Sequence, residues 1–326
     1  MVGNPKAPSL DPTHRDEALY NLIQENEMPM FFACLQPVIA AILDRESLWH
    51  GVGRPPLKLK DFLVCLIVKE YFDKSLRRAV GLLRVYKRAN LIDVDIPCFK
   101  TLDNYLNNSE IHVYVERLIE LTSALFSTVE KCMATDATGI STTCYSSWFS
   151  IQVRRKARRR DHIRVHITVG TKSNVVLALD IRGKGGGDNE IFRSHVLSVD
   201  ERFDVDEWSA DRLYLSRQNC DAVAAIGAEP WIKLKSNTTA RAGGSTNWRR
   251  MVLAFKVTPD VANEKYHKRS NVESTFSAKK RKFGSSVRGR LFTSQKMEES
   301  FSWVGFNMSL IPRARYEFGV NPPLGN

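Results

Sequence analysis

The sequence predicts an α/β chain, with a mixed sheet flanked by helices and an all-α region in front of it. Three observations carry this. Up to about residue 130 apolar side chains recur only at helical spacing. At Lys131 the texture changes to alternating, β-branched stretches. Beyond these, extended and helical segments take turns to the end of the chain. At 326 residues with 43% hydrophobic content, the chain has room for two domains and a sizeable core.

Residues 1–15 read as a flexible arm, polar and proline-rich. Residues 16–130 read as an all-α DNA-binding or accessory domain. Its first helical stretch, Asp16 to Leu43, is interrupted in pattern at Pro29 and Pro37. A break follows at Gly51, Gly53, Pro55 and Pro56. Gly-Arg-Pro there suits an A·T minor groove, though a plain loop before a helix explains it as well. Residues 60–72 read as a mostly buried helix. Ser75 stands as an N-cap for a third helix that places Leu76, Val80, Leu83 and Val85 near one face. A turn through Asp93–Pro97 leads to a short helix with Thr101 and Asp103 near its start. This pair is compatible with a helix-turn-helix and equally with a structural bundle. Residues 110–130 complete the region as one more amphipathic helix.

Residues 131–312 form the second domain, and 313–326 a tail. CMATDATGISTTCY reads as a strand carrying Asp136. After it come Arg154, Arg155, Lys156, Arg158, Arg159 and Arg160, six cations in seven residues. Runs this dense are usually interaction segments. Two strands follow, joined by a turn at Lys172–Asn174, so three strands in meander order open the domain. The loop GKGGGDNE lacks the spacing of a phosphate-binding P-loop, and a helix over Asn189–Leu197 follows it. A short strand ends at Asp211, Ser216–Ala225 is a helix, and PWIKLKSN another strand. Thr238–Trp248 reads as a surface loop, and the chain closes with an apolar-faced helix through Met297, Phe301, Val304 and Met308.

A formal net charge of +12 and a pI near 9.5 point to a polyanionic partner, DNA before an acidic membrane surface. Cys34, Cys65, Cys98, Cys132, Cys144 and Cys220 are scattered without CxxC spacing, which argues against a zinc site and for a reducing compartment. No secretory core precedes the first helix, and residues 28–43 carry Pro29, Gln36 and Pro37. A cytoplasmic, nucleoid-associated prokaryotic protein with no membrane association is expected.

One stretch organises the rest. On a helix, Tyr266, Arg269, Glu273 and Lys280 fall on a stripe roughly 60° wide. Val272, Phe276 and Phe283 form an apolar stripe beside it, and Gly284 reads as a left-handed C-cap. Taken alone, this is most simply an amphipathic helix with a mixed-charge solvated face. The spacing, however, is without a gap the Tyr-x2-Arg-x3-Glu-x6-Lys signature of a large group of insertion-sequence transposases. The chain resembles them from about Gly53 to Met308. The sequences DATG around Asp136 and SADRLY around Asp211 resemble that family's surroundings of its first two acids. The order of elements likewise resembles the ribonuclease H-like fold that DDE transposases share.

The resemblance implies a DNA transposase that cleaves element ends and joins a 3′-hydroxyl to target DNA. Asp136, Asp211 and Glu273 would be both the catalytic and the metal-holding acids. The expected cofactor is Mg²⁺, two ions, with Mn²⁺ able to substitute; such ions activate a nucleophile and offset charge on attacking and leaving oxygens. Tyr266, Arg269 and Lys280 would contact end phosphates, and the run from Arg154 to Arg160 is read as a further phosphate contact. Expected partners are double-stranded DNA, as terminal inverted repeats and target, and a second copy of the chain. Asp204, Asp206 and Asp221 rival Asp211, with Asp180 and Asp188 as second choices. His162 and His166 are read as structural or DNA-facing. A DNA-binding relic or domesticated relative and a stand-alone metal-dependent nuclease are the competing functions.

Overall fold

The structure, a computed structural model of the chain, describes residues 16–43, 58–142, 162–183, 187–241 and 243–322. The expected arm, the Gly51–Pro56 break and the basic run Arg154–Arg160 lie outside the described residues. The helical region comprises α1 (Glu17–Leu43), α2 (Leu59–Tyr71), α3 (Leu76–Arg88), α4 (Phe99–Leu106) and α5 (His112–Ala124). Contrary to the expected interruptions, α1 runs unbroken through Pro29 and Pro37. Each internal proline costs about 3 kcal/mol. Burial of Phe31, Cys34, Leu35, Val38 and Ile39 at about 1.5–3 kcal/mol each outweighs that. By length and composition α1 could also cross a membrane, but those five side chains are enclosed in the core shared with α2 and α5.

The start of α3 falls where expected, yet Ser75 makes no side-chain capping bond. Between α3 and α4 the chain runs through residues 89–98 without helix. A helix-turn-helix joins its helices by a turn of about 3–4 residues, so α3 and α4 do not form one.

The sheet has five strands in the order β3-β2-β1-β4-β5. They are β1 (Cys132–Ser141), β2 (His162–Gly170), β3 (Val176–Arg182), β4 (Glu207–Ala210) and β5 (Glu229–Ile232). β1, β2 and β3 pair antiparallel, whereas β4 and β5 add in parallel to β1. With α6 (Asp188–Asp200) and α7 (Arg217–Ala225) inserted between strands, this is the ribonuclease H-like arrangement.

Two apolar cores flank the sheet. One is filled by α6, α7 and α8 (Thr246–Val257) with Trp208, Phe192 and Tyr214. The other joins the inner faces of β1, β2 and β3 to α10 (Ser270–Phe283), α11 (Phe292–Ser309) and the helical region. The second core therefore runs without a break across residue 130.

Three local departures from expectation matter for the site. First, α8 and all but the last two residues of α9 (Pro259–His267) occupy residues for which no helix was expected. Second, the expected single helix from Tyr266 to Lys280 is two helices. Arg269 N bonds Tyr266 O at 3.0 Å, and Val272 N bonds Arg269 O at 3.0 Å. These i→i−3 bonds wind the joint more tightly than an α-helix and turn Arg269 relative to its neighbours. Third, Gly284 has positive φ (85°) as a C-cap should, but its ψ of 160° is extended, not left-handed helical. The chain thereby leaves α10 alongside the end of β1, where Val287 N bonds Ser141 O at 3.0 Å. The last helix, α12 (Ile311–Tyr316), extends into residues assigned to the tail and buries Ala314.

Candidate active site

The parallel pairing of β1 and β4 builds the first half of the site. Thr135 pairs with Ala210, so the next residues, Asp136 and Asp211, stand side by side. Beyond this level β1 continues along β2, but β4 stops and the chain turns through a 3-10 segment, Arg212–Tyr214. Tyr214 anchors that turn: it is fully buried, and its hydroxyl pairs with His166 Nδ1 at 2.9 Å. Burial, with Arg164 nearby, pushes the His166 imidazole below its ordinary range, so it is a neutral structural partner.

The second half comes from the α9–α10 joint. Arg269 Nη1 donates to Asp136 Oδ2 at 2.5 Å and Nη2 to Glu273 Oε1 at 2.6 Å. Its Nε donates to the hydroxyl of the buried Tyr266 at 2.9 Å. One guanidinium thus ties a strand acid to a helix acid and rests on the tyrosine. Lys280 Nζ donates to Thr138 Oγ1 at 2.8 Å, on the same strand as Asp136. Burial lowers the Lys280 ammonium.

Asp136 is largely removed from solvent, its side chain 13% exposed. Burial holds its carboxyl above the usual range; Asp211 and Glu273 add to this, against the Ala137 N–H and Arg269. Glu273 is open, its side chain 60% exposed. Lys233, which sequence reasoning missed, follows β5 directly; its N–H bonds Ala210 O at 3.1 Å. The Lys233 ammonium sits 4.7 Å from the centre of the Tyr266 ring. Its signal was readable as a cation inside PWIKLKSN, but only the parallel pairing, which ends at Ala210 and Ile232, brings it to the same end of the sheet as Asp211.

The rival acids are occupied elsewhere. Asp204 pairs with Lys131, and Asp221 accepts from Ser245 and Asn247. Asp180 holds Arg182 by two bonds, and Asp188 pairs with Arg164. Asp206 lies before β4, away from the end that carries Asp211. Within the cationic last turn of α10, Lys279 is buried against Glu299, at 2.8 and 2.6 Å, and Lys282 bonds Glu27. Arg288, in the loop after α10, is held by Asp73 at 2.6 Å.

Among the described residues, no three Asp, Glu, His or Cys side chains stand close enough to hold a metal ion with Arg269 bridging Asp136 and Glu273. The donor set nevertheless suits a hard cation by its chemistry. It consists of carboxylate oxygens only, and the negative charge around Asp136 is what such an ion would offset.

Compared with protein families, residues 127–298 match the one described as the transposase DDE domain. No curated protein matches the chain.

Proposed function

The chain belongs to the transposase DDE-domain family, and on that premise we propose that it cuts DNA at the ends of a mobile element and joins the freed 3′-hydroxyl to target DNA, in a cut-and-paste reaction. The supporting observation is the constellation of Asp136 beside Asp211, linked through Arg269 to Glu273. Asp136, Asp211 and Glu273 would hold Mg²⁺ (or Mn²⁺), which when bound supplies an activated nucleophile and charge neutralisation at the phosphate.

The chain's own side chains do the rest. Arg269, with its forked donors, and Lys280, a point charge, suit phosphate oxygens; Lys233 stands ready beside them. Tyr266 props the Arg269 guanidinium at a fixed height over the acids. The run Arg154–Arg160 is assigned to phosphate contact on its charge alone. Double-stranded DNA with terminal inverted repeats is the substrate, and the working form on paired ends is a homodimer.

The test is a labelled duplex carrying the DNA that flanks the gene, incubated with Mg²⁺ or with EDTA. The expected result is metal-dependent nicking at the end boundary, lost in Glu273→Gln, with strand-transfer products when target DNA is added. Nicking without transfer would make the protein a nuclease. Binding without nicking under any divalent ion would reduce it to a DNA-binding relic.

A further inference from the structure

We propose that the solvent face of α3 is a second DNA-contact surface, gripping the phosphate backbone of a duplex that also occupies the candidate active site. The identity of that duplex rests on the transposase reading; the surface itself does not. On a helical wheel Arg84, Arg77, Arg88, Gly81, Val85 and Arg78 share an arc of about 120°. All except Arg78 lie within about 100° of it, and all six residues are exposed. The opposite side of α3 buries Ala79, Val80 and Leu83 in the core.

Nothing in α3 itself balances this charge. The helix contains no acidic residue. Among the described residues none of the four arginines pairs with a carboxylate; the neighbouring Asp95 takes Lys87 instead, at 3.5 Å. Arg77 is fixed in place by stacking on Phe99, 4.3 Å from the ring centre.

The face also carries two features that weaken a helix in isolation. Arg84 and Arg88 are like charges one turn apart, and Gly81 sits mid-helix. Open space surrounds Gly81, so packing does not require a glycine there. A missing side chain at the centre of an arginine arc does allow a bulky rod of phosphates to approach the helix closely. Along the axis, Arg77, Arg84 and Arg88 are spaced over roughly 16 Å, enough to span several phosphates of one strand.

Continuity with the site supports one duplex on both surfaces. The turn that starts α3 is locked to the loop after α10 by Arg288 on Asp73, at 2.6 Å. Gly284, which ends α10, lies against the same Asp73. The arginine arc therefore begins beside the last turn of the helix that carries Glu273 and Lys280. It is α3, and not the shorter α4, that presents the charge.

The test is the binding of the full chain to a duplex long enough to reach both surfaces, measured over a series of salt concentrations. Removing Arg77, Arg84 and Arg88 together (each →Gln) should flatten the slope of log affinity against log salt by about 0.9 per lost contact. Gly81→Glu, which sets a carboxylate in the middle of the arc, should also weaken binding, by less than the triple variant. Its thermal transition should hold, because the new carboxylate finds space and a helical ion pair with Arg77. Unchanged affinity and slope in both variants would overturn the proposal. Running Glu273→Gln in parallel separates the two readings. Nicking that depends on Glu273, with α3 variants binding as wild type, would sink the α3 surface alone. Weakened binding by the α3 variants of a protein that never nicks would support the surface and remove the catalytic reading.

Discussion

Two groups of charge lie on opposite sides of α10, and they are built on opposite principles. On the side facing α11, Lys279 is buried against Glu299, their side chains each about 2% exposed. Next to Glu299 on α11, Glu298 joins Glu70 of α2 in holding the buried Lys69. The remaining capacity of Glu298 is taken by the backbone N–H groups of Arg288 and Gly289, at 2.7 and 2.9 Å. On the side facing β1, one arginine bridges two of the three acids, Asp136 and Glu273, and burial, with Asp211 and Glu273 nearby, holds Asp136 above its normal range. The matched cluster, through Lys69 on α2 and Glu298 on α11, tethers the helical region to the half that carries the candidate site. The unmatched one stores a demand for positive charge, which DNA-processing chemistry would use.

Breaking the matched cluster should have the largest effect. Lys279→Met leaves Glu299 buried and alone and is expected to destabilise the protein by about 3–5 kcal/mol, measured by urea unfolding. The double variant Lys279→Met, Glu299→Leu should recover most of that. If it does not, the pair does more than neutralise itself.

The second test uses pH. Burial pushes the Glu70 carboxyl up to about 7, against the pull of Lys69. A carboxyl whose folded value exceeds its unfolded one near 4.5 binds more protons in the fold. Its contribution is fully present below the unfolded value and is lost as pH rises to about 7. Stability should therefore fall across that window by about 1–3 kcal/mol, and Glu70→Gln should flatten the dependence.

At the unmatched cluster the sign reverses: removing a charge should help. Asp136→Asn relieves a desolvated carboxylate beside two others and should raise the melting temperature by about 1–3 °C at pH 7. The same change is expected to abolish nicking. A fall in melting temperature would mean that the Arg269 bond, and not repulsion, dominates there. Outside both clusters the effect should be smallest. Gly81→Ala on α3 should stabilise the protein by at most about 1 kcal/mol while weakening DNA binding by crowding the arginine face.

Much of this architecture was readable beforehand, for identifiable reasons. β2 alternates cleanly through Ile163, Val165, Ile167 and Val169, and helix faces such as Val272, Phe276 and Phe283 follow a period that burial alone imposes. The missed α8 also carried its signal. Ser245 accepts from Trp248 N at 3.0 Å as an N-cap, and Trp248, Met251 and Val252 repeat at helical spacing. The polar glycines just before it concealed this. The prolines of α1 misled in the other direction, because local propensity was outvoted by a core that no local window contains.

What the sequence by itself determined was the order of elements and the types of residue that meet. Spacing and alternation are properties of the chain, and they suffice to put Asp136 on a strand, Asp211 at a strand end and Glu273 on a helix. Only the tertiary structure decided which of these face one another. The parallel pairing of β4 with β1 aligns Asp211 with Asp136 and separates it from Asp204, Asp206 and Asp221. The tight joint at Arg269 turns that side chain from one member of a surface stripe into a bridge between two acids. The division of Lys279 from Lys280, adjacent in sequence, is of the same kind. A helix turns about 100° per residue, and what waits at each angle, Glu299 or Thr138, is supplied by segments far away in the chain.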